Sequence, residues 1–325
     1  MINRTLQIYN IKEYTYPIKG GFIPTLTTYI HDEGVRNAIL IVPGGSYAYV
    51  SPDEAQVVAL KFYNKGFNAF VLTYTVNFNN NIPLKYQPLK DISRAVRVLR
   101  NQCDNFNIDP NNITVCGFSA GGHLAGSLAV HHGLEELKDE YFNESNKPNK
   151  VILSYPVISS GEYKHEGSFI NLLGNNPTEE ELSLFSLEKQ INSDTPPVFI
   201  WHTKDDDTVP YENTVLFKKA CDEAGIECRM ELFESGIHGC ATADAEWALG
   251  KIGEPYTFEQ IITEICYAIA HNEQSLLPFP FNDATKVEDI PELFGRWRPK
   301  TYNLNKKNDD VARWVDMAIE FINEN

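Results

Sequence analysis

The sequence predicts an α/β domain: a mostly parallel sheet of about eight strands with helices on both faces. Three observations carry this. Short apolar runs alternate with longer amphipathic segments along most of the chain. The run Ala38–Val42 (AILIV) is apolar at every position, as a strand buried on both faces must be. Glycine-containing motifs follow several such runs, where a strand gives way to a turn. At 325 residues the chain fits a single large domain, 1–325.

The elements follow in order. Period-two stretches at Leu6–Tyr9 and Thr25–Tyr29 read as antiparallel edge strands. Ala38–Val42 comes next and ends in PGGSY. Ser51-Pro52-Asp53-Glu54 opens a helix, with Ser51 as N-cap, Pro52 at the first helical position and acids in the first turn. Gly66 is placed to end it. Asn68–Tyr74 is a strand. Asp91–Arg100 is a helix, with Ile92, Ala95, Val96 and Leu99 on one face. Ile113–Cys116 is a short central strand running straight into GFSAGGHLAGSLAV, a sharp turn and then a helix. Val151–Tyr155 is another strand.

Residues 159 to about 192 break the alternation. They are polar, with a short amphipathic piece at Glu179–Phe185, and read as a cap insertion above the strand ends. Val198–His202 resumes the sheet, Asn213–Ala224 is a helix and Arg229–Phe233 the last strand. Residues from about 247 to 305 form a second insertion, with a helix at Phe258–Ala270, then LLPFPF and FGRWRPK. Asp310–Ile322 is the closing helix, with Val311, Val315, Ala318, Ile319 and Ile322 on one face.

Lys plus Arg number 28 and Asp plus Glu 44, a net charge of −16. A surface so acidic repels phosphate backbones and anionic lipid heads, so neither nucleic acid nor a membrane is an expected partner. No apolar stretch approaches the roughly 20 residues that span a bilayer, and MINRTLQIYNIKEYTYPIKG carries no secretory pattern. The six cysteines form no CxxC pair and have no zinc spacing. Scattered thiols fit a reducing cytoplasm. The apolar second insertion on an acidic chain suggests a homo-oligomer contact.

Four motifs carry chemistry. Gly117-Phe118-Ser119-Ala120-Gly121 is GxSxG between a buried strand and a helix. That setting projects a serine hydroxyl from a strained turn, with the helix dipole behind it. Pro43-Gly44-Gly45-Ser46-Tyr47 follows the AILIV strand; its backbone N–H groups at Gly45 and Ser46, with that of Ala120, are placed to hold an oxyanion. Alone it is an ordinary Gly-Gly turn, and its order relative to Ser119 gives it meaning. In WHTKDDDTVP the DxxVP frame selects Asp206 as the acid that orients an imidazole, with Asp205 second. Ser235-Gly236-Ile237-His238-Gly239 places His238 on a short loop after the last strand. Of the other histidines, His123, His131 and His132 read as packing or helix-end contacts, His202 as a structural strand-end residue, and His31, His165 and His271 have no motif context. The order Ser119, Asp206, His238 is that of α/β-hydrolases.

These residues carry a resemblance. PGGSYAYVSPDEA, GFNAFVLTY, GFSAGGHLA, LLGNNPTEEELSLFSLE, TPPVFIWHTKDDDTVPYENT and SGIHG make the chain similar to the α/β-hydrolase superfamily. More narrowly, it resembles small bacterial esterases related to acetylxylan esterases and bifunctional feruloyl/acetylxylan esterases. The resemblance implies the α/β-hydrolase fold and a serine esterase that needs no metal or organic cofactor. Its implied substrate is a small-molecule ester, an acylated sugar with a short acyl group. It also implies an oxyanion role for Gly45 and Ser46. In such relatives the final helix soon follows the histidine loop; here 247–305 intervenes, placed to reshape the pocket or mediate assembly. Tyr47, Tyr49, Tyr74 and Trp201 are candidate flat walls for sugar rings, although Tyr and Trp near strand ends are more often core. An amide hydrolase on the same fold is the nearest alternative, and a non-catalytic binding module is a further one.

Overall fold

The computed structural model describes residues 1–79, 82–297 and 306–324. Among them one sheet contains β1 (Thr5–Gln7), β2 (Thr25–Tyr29), β3 (Arg36–Val42), β4 (Asn68–Thr73), β5 (Ile108–Phe118), β6 (Lys150–Ser154), β7 (Val198–Thr203) and β8 (Cys228–Phe233). Their spatial order is β1-β2-β4-β3-β5-β6-β7-β8. β1 pairs antiparallel with β2, and β2 antiparallel with β4; the remaining pairings are parallel. β2 is therefore no edge strand, although its antiparallel sense is as expected. It is buried along its whole length because β1 covers its far side.

The helices are α1 (Gln56–Asn64), α2 (Gln87–Asn101), α3 (Ser119–His131), α4 (Glu166–Leu173), α5 (Glu179–Leu184), α6 (Glu212–Ala224), α7 (Ala245–Ala248), α8 (Glu259–His271), α9 (Ile290–Trp297), α10 (Asp309–Ala312) and α11 (Trp314–Asn323). The alternation of β3 divides the core. Leu40 and Val42 face a cluster with Ile92, Val96, Leu124 and Leu128 of α2 and α3. Ile39 and Ile41 face Val58, Phe62, Trp314 and Phe321 of α1 and α11. Burying each of these side chains stabilises the fold by about 1.5–3 kcal/mol before conformational entropy is counted.

Three local expectations are corrected. Ser51–Glu54 does not open an α-helix. Pro52–Glu54 is a single 3-10 turn, the Ser51 side chain caps nothing, and α1 begins at Gln56. The reason is tertiary: Glu54 turns inward and spends its carboxylate on Gly44 and Tyr155. The closing helix is two helices broken at Arg313. Asn308 caps the first by accepting from the backbone N–H groups of Asp310 and Val311. The polar cap holds a helix that its composition did not suggest, α4, which buries Phe169, Leu172 and Leu173. α5 starts at a capping box between Thr178 and Glu181.

The second insertion builds its own small core. Ile261 and Ile265 of α8 meet Phe281, Ile290 and Leu293, with Phe78 from the main body. Its FGRWRPK stretch passes beyond the described residues after Trp297.

Candidate active site

The site sits where the parallel strands end. β3 and β5 are neighbours, with Val42 opposite Gly117, so the PGGSY loop and the turn into α3 leave the sheet side by side. Ser119 is the first residue of α3 and has φ 51°, a left-handed conformation that is costly for a residue with a side chain. The turn is locked by close approach. A Cβ on Gly121 would lie 2.1 Å from the carbonyl oxygen of Val42 and 2.3 Å from that of Pro43. Only glycine lets α3 begin against the end of β3.

Tertiary folding brings three of the expected residues into one chain of hydrogen bonds. Ser119 Oγ lies 2.9 Å from His238 Nε2, and His238 Nδ1 lies 2.7 Å from Asp206 Oδ2. A carboxylate can only accept, so Nδ1 carries the proton and Nε2 accepts from the serine hydroxyl. Of the three adjacent aspartates only Asp206 is buried; Asp205 and Asp207 are exposed. Asp206 Oδ1 accepts from the backbone N–H groups of Thr208 and Val209, at 3.0 and 2.9 Å.

His202 also reaches Asp206, its Nε2 lying 3.2 Å from Oδ2 and 2.9 Å from the carbonyl oxygen of Val209. Both partners accept, so Nε2 donates, and Nδ1 takes the Thr214 hydroxyl at 2.8 Å. Burial pushes the Asp206 carboxyl up, but hydrogen bonds from His202 and then His238 outweigh it. The carboxyl is held well below the usual range. His202 is thus structural, as its position suggested, and also a second imidazole on the acid. The i, i+4 spacing to Asp206 was its only sequence signal.

On the other side of the serine, Gly45 (φ 111°), Ser46 (φ 56°) and Tyr47 (φ 60°) form a left-handed turn. A Cβ on Gly45 would lie 2.2 Å from the carbonyl oxygen of Tyr49, so glycine is required there too. The Gly45 carbonyl accepts from Ala48 and Tyr49, and that of Gly44 from Ser51. Among the described residues, no protein acceptor takes the N–H of Gly45 or Ser46. Ala120, the second residue of α3, has no helical acceptor for its N–H. These three donors are the ones the sequence singled out.

Of the two readings of the aromatic residues, core holds for three of the four. Tyr47, Tyr74 and Trp201 are buried and offer no face to a ligand. Tyr47 instead bonds His123 Nδ1 at 2.8 Å, and His123 Nε2 reaches the carbonyl of Phe185 at 2.8 Å. Burial holds His123 down to about 4, so this pair is neutral packing. Tyr74 donates to the carbonyl of Pro43, 2.7 Å away. Trp201 stacks on Trp314. Tyr49 alone of the four borders open space, a cavity of about 600 Å³ shared with Pro52, Phe258, Phe294 and Trp297. The second insertion therefore forms a wall beside the PGGSY loop.

Two further residues escaped sequence reasoning. Tyr155, at the end of β6, sets its ring edge-on to His238, with centroids 5.0 Å apart. His165, the N-cap of α4, holds Ser168 Oγ with Nδ1 at 2.8 Å, and burial holds its imidazole below the usual value, with His238 adding to this and Asp206 opposing it. Among the described residues no His, Cys, Asp or Glu cluster is arranged to hold a metal ion, and no helix is long and apolar enough to cross a membrane. A serine hydroxyl facing an imidazole lone pair, with a carboxylate behind the ring, can perform nucleophilic acyl transfer.

Comparison with known proteins identifies a family. The BD-FAE family model matches residues 28–221. The chain is 47% identical over 257 residues to "Endo-1,4-beta-xylanase B" of Butyrivibrio fibrisolvens, covering 78% of this chain and 40% of that protein. It is 30% identical over 245 residues to "Acetylxylan esterase" of Xylanibacter ruminicola, covering 74% and 48%. The chain thus spans less than half the length of either relative. Among solved structures, an acetyl ester-xyloside bifunctional hydrolase from Caldicellulosiruptor lactoaceticus superposes with a TM-score of 0.66 at 34% identity, covering 83% of this chain and 97% of that one.

Proposed function

Since the chain belongs to the BD-FAE family and has the α/β-hydrolase fold, we propose that it is a serine carboxylic-ester hydrolase removing short acyl groups, acetyl from xylan-derived oligosaccharides or related sugars. The observation that carries this reading is the continuous hydrogen-bond chain Ser119–His238–Asp206, at 2.9 and 2.7 Å. Ser119 attacks the ester carbonyl as His238 Nε2 takes its proton. Asp206 keeps the imidazole in the required tautomer and favours its cation. The N–H groups of Ala120, Gly45 and Ser46 receive the oxyanion, each worth about 3 kcal/mol in the transition state. His238 then protonates the departing alcohol, and water, activated by the same imidazole, releases the acid.

The short-acyl reading is supported by the polar cap, and the sugar by what the relatives' names say of those proteins. The catalytic domain is taken as 1–325, with both insertions belonging to it. The test is acetate release from acetylated xylo-oligosaccharides and monosaccharides, with Ser119→Ala as the blank. Release by the wild type alone supports the proposal. Faster turnover of p-nitrophenyl octanoate than acetate overturns the short-acyl assignment, and preference for an anilide over the matching ester overturns the ester assignment.

A further inference from the structure

Glu54 has no part in the acyl-transfer steps above, yet it is buried against them. Its side chain is 4% exposed. Oε2 accepts the backbone N–H of Gly44 at 2.6 Å, and Oε1 accepts the Tyr155 hydroxyl at 2.8 Å. The first contact fixes the residue before Gly45, at the root of the oxyanion loop. The second fixes the ring that stands edge-on to His238. One carboxylate therefore ties together the oxyanion side and the imidazole side of the same serine. A buried carboxylate is also a costly group to keep, and a neutral glutamine of equal length has nearly the same reach. We propose that Glu54 is a positioning residue of this hydrolytic site, which anchors the oxyanion loop through Gly44 and, by its negative charge, favours the imidazolium that His238 becomes during turnover. The inference rests on the serine-hydrolase reading of Ser119 and His238.

Glu54 and His238 lie within electrostatic reach of one another. Burial pushes the Glu54 carboxyl above the ordinary carboxylate range, while hydrogen bonds from Gly44 and Tyr155 oppose the rise. Most of the titratable groups facing it are phenols and thiols. Burial raises Tyr155, Tyr74 and Cys116 well above their usual values, and Tyr49 and Cys240 to about 12, so all stay neutral at working pH. The carboxyl of Asp53, on the same turn, and the imidazole of His238 complete the set. His238 in turn faces Asp206, Tyr155, His165 and Glu54.

The test compares wild type, E54Q, E54D and Y155F on p-nitrophenyl acetate, with Ser119→Ala as blank and thermal unfolding as the check on folding. E54Q keeps the length and loses the charge. Its kcat falls by about tenfold or more at little-changed KM, and the acid limb of kcat/KM moves to lower pH by about half a unit because the imidazolium loses a neighbouring anion. E54D keeps the charge and loses reach, so kcat falls with the limb nearly unmoved. Wild-type kcat in E54Q, or a fall in kcat with no shift of the limb, overturns the proposal. If E54Q does not fold, Y155F decides: a kcat at least about threefold lower at unchanged KM supports it, and wild-type kcat overturns it. Absence of Ser119-dependent hydrolysis in the wild type instead overturns the underlying reading.

Discussion

The turn from β5 into α3 and the segment 245–297 flank the same PGGSY loop, and they are held in place by different means. The turn is fixed by backbone: a left-handed Ser119, and a Gly121 whose missing Cβ leaves room for the carbonyls of Val42 and Pro43. The segment is fixed by side chains. Phe281 meets Phe78, Phe294 and Trp297 at ring distances of 5.4, 5.0 and 5.7 Å, and Tyr49 packs on Phe258 and Trp297. Backbone constraints permit one residue type and are unforgiving. Aromatic packing tolerates exchange of similar volumes. Chemistry is therefore expected to reside in the turn, and variation in the pocket wall to reside in the segment.

The contrast can be broken in four ways. The largest effect belongs to Ser119→Ala, expected to lower hydrolysis about 10⁴- to 10⁶-fold while leaving the unfolding midpoint nearly unchanged; kinetics beside a denaturant titration check both halves. Next is Gly121→Ala. Its added Cβ meets two backbone carbonyls, so it is expected to cost about 4 kcal/mol and to remove activity together with stability. Urea unfolding measures the loss, and near-wild-type stability would show that the turn is looser than the geometry requires.

Phe281→Ala is expected to cost about 3 kcal/mol, but within the segment. Amide exchange should speed up first in 259–297, while acetate-ester turnover falls less than about tenfold. Equal loss of both would join the two regions into one unit.

The smallest effect is on pH. Burial pushes Glu264, on α8, up to about 7, against a hydrogen bond from Gln260. A carboxyl whose folded value is raised contributes stability fully below its unfolded value and loses it as pH rises through the folded one. Between pH 5 and 8 the wild type should therefore lose on the order of 2 kcal/mol relative to Glu264→Gln, read from midpoints at each pH. Asp206, bonded to His238, runs the other way. Its lowered value gives stability that is present above the unfolded carboxylate range and lost as pH falls through the folded one.

This division also explains what could be read in the sequence. Ser119, Asp206 and His238 were legible because each lies just after a strand, in an order that one topology permits, and because glycines mark the turns. β3 and β7 were legible because they are apolar and mostly buried runs, whereas β5 extends back to Ile108 through the polar Asp109–Asn112, so only its buried end at Ile113–Cys116 could be read. Glu54 was not. SPDE has the local signature of a helix start, and the partners that draw the carboxylate inward are 10 and 101 residues away. Tyr74 and Trp201 looked like pocket walls because they sit at strand ends, but Pro43 and Trp314 cover them from distant parts of the chain. In the second insertion the helix at Phe258–Ala270 was legible and is α8, but what packs on it was not, because the 3-10 turns and the short α9 that follow have neither strand nor helix period over a useful length.

In the proposed reaction His238 makes the Ser119 hydroxyl a nucleophile. Treating the full chain with a fluorophosphonate and mapping the adduct by peptide mass spectrometry tests it most directly. One phosphonyl group is expected, on Ser119, forming at least about a hundredfold more slowly in His238→Ala. A wild-type protein that stays unlabelled, or a His238→Ala protein labelled at the wild-type rate, would contradict it.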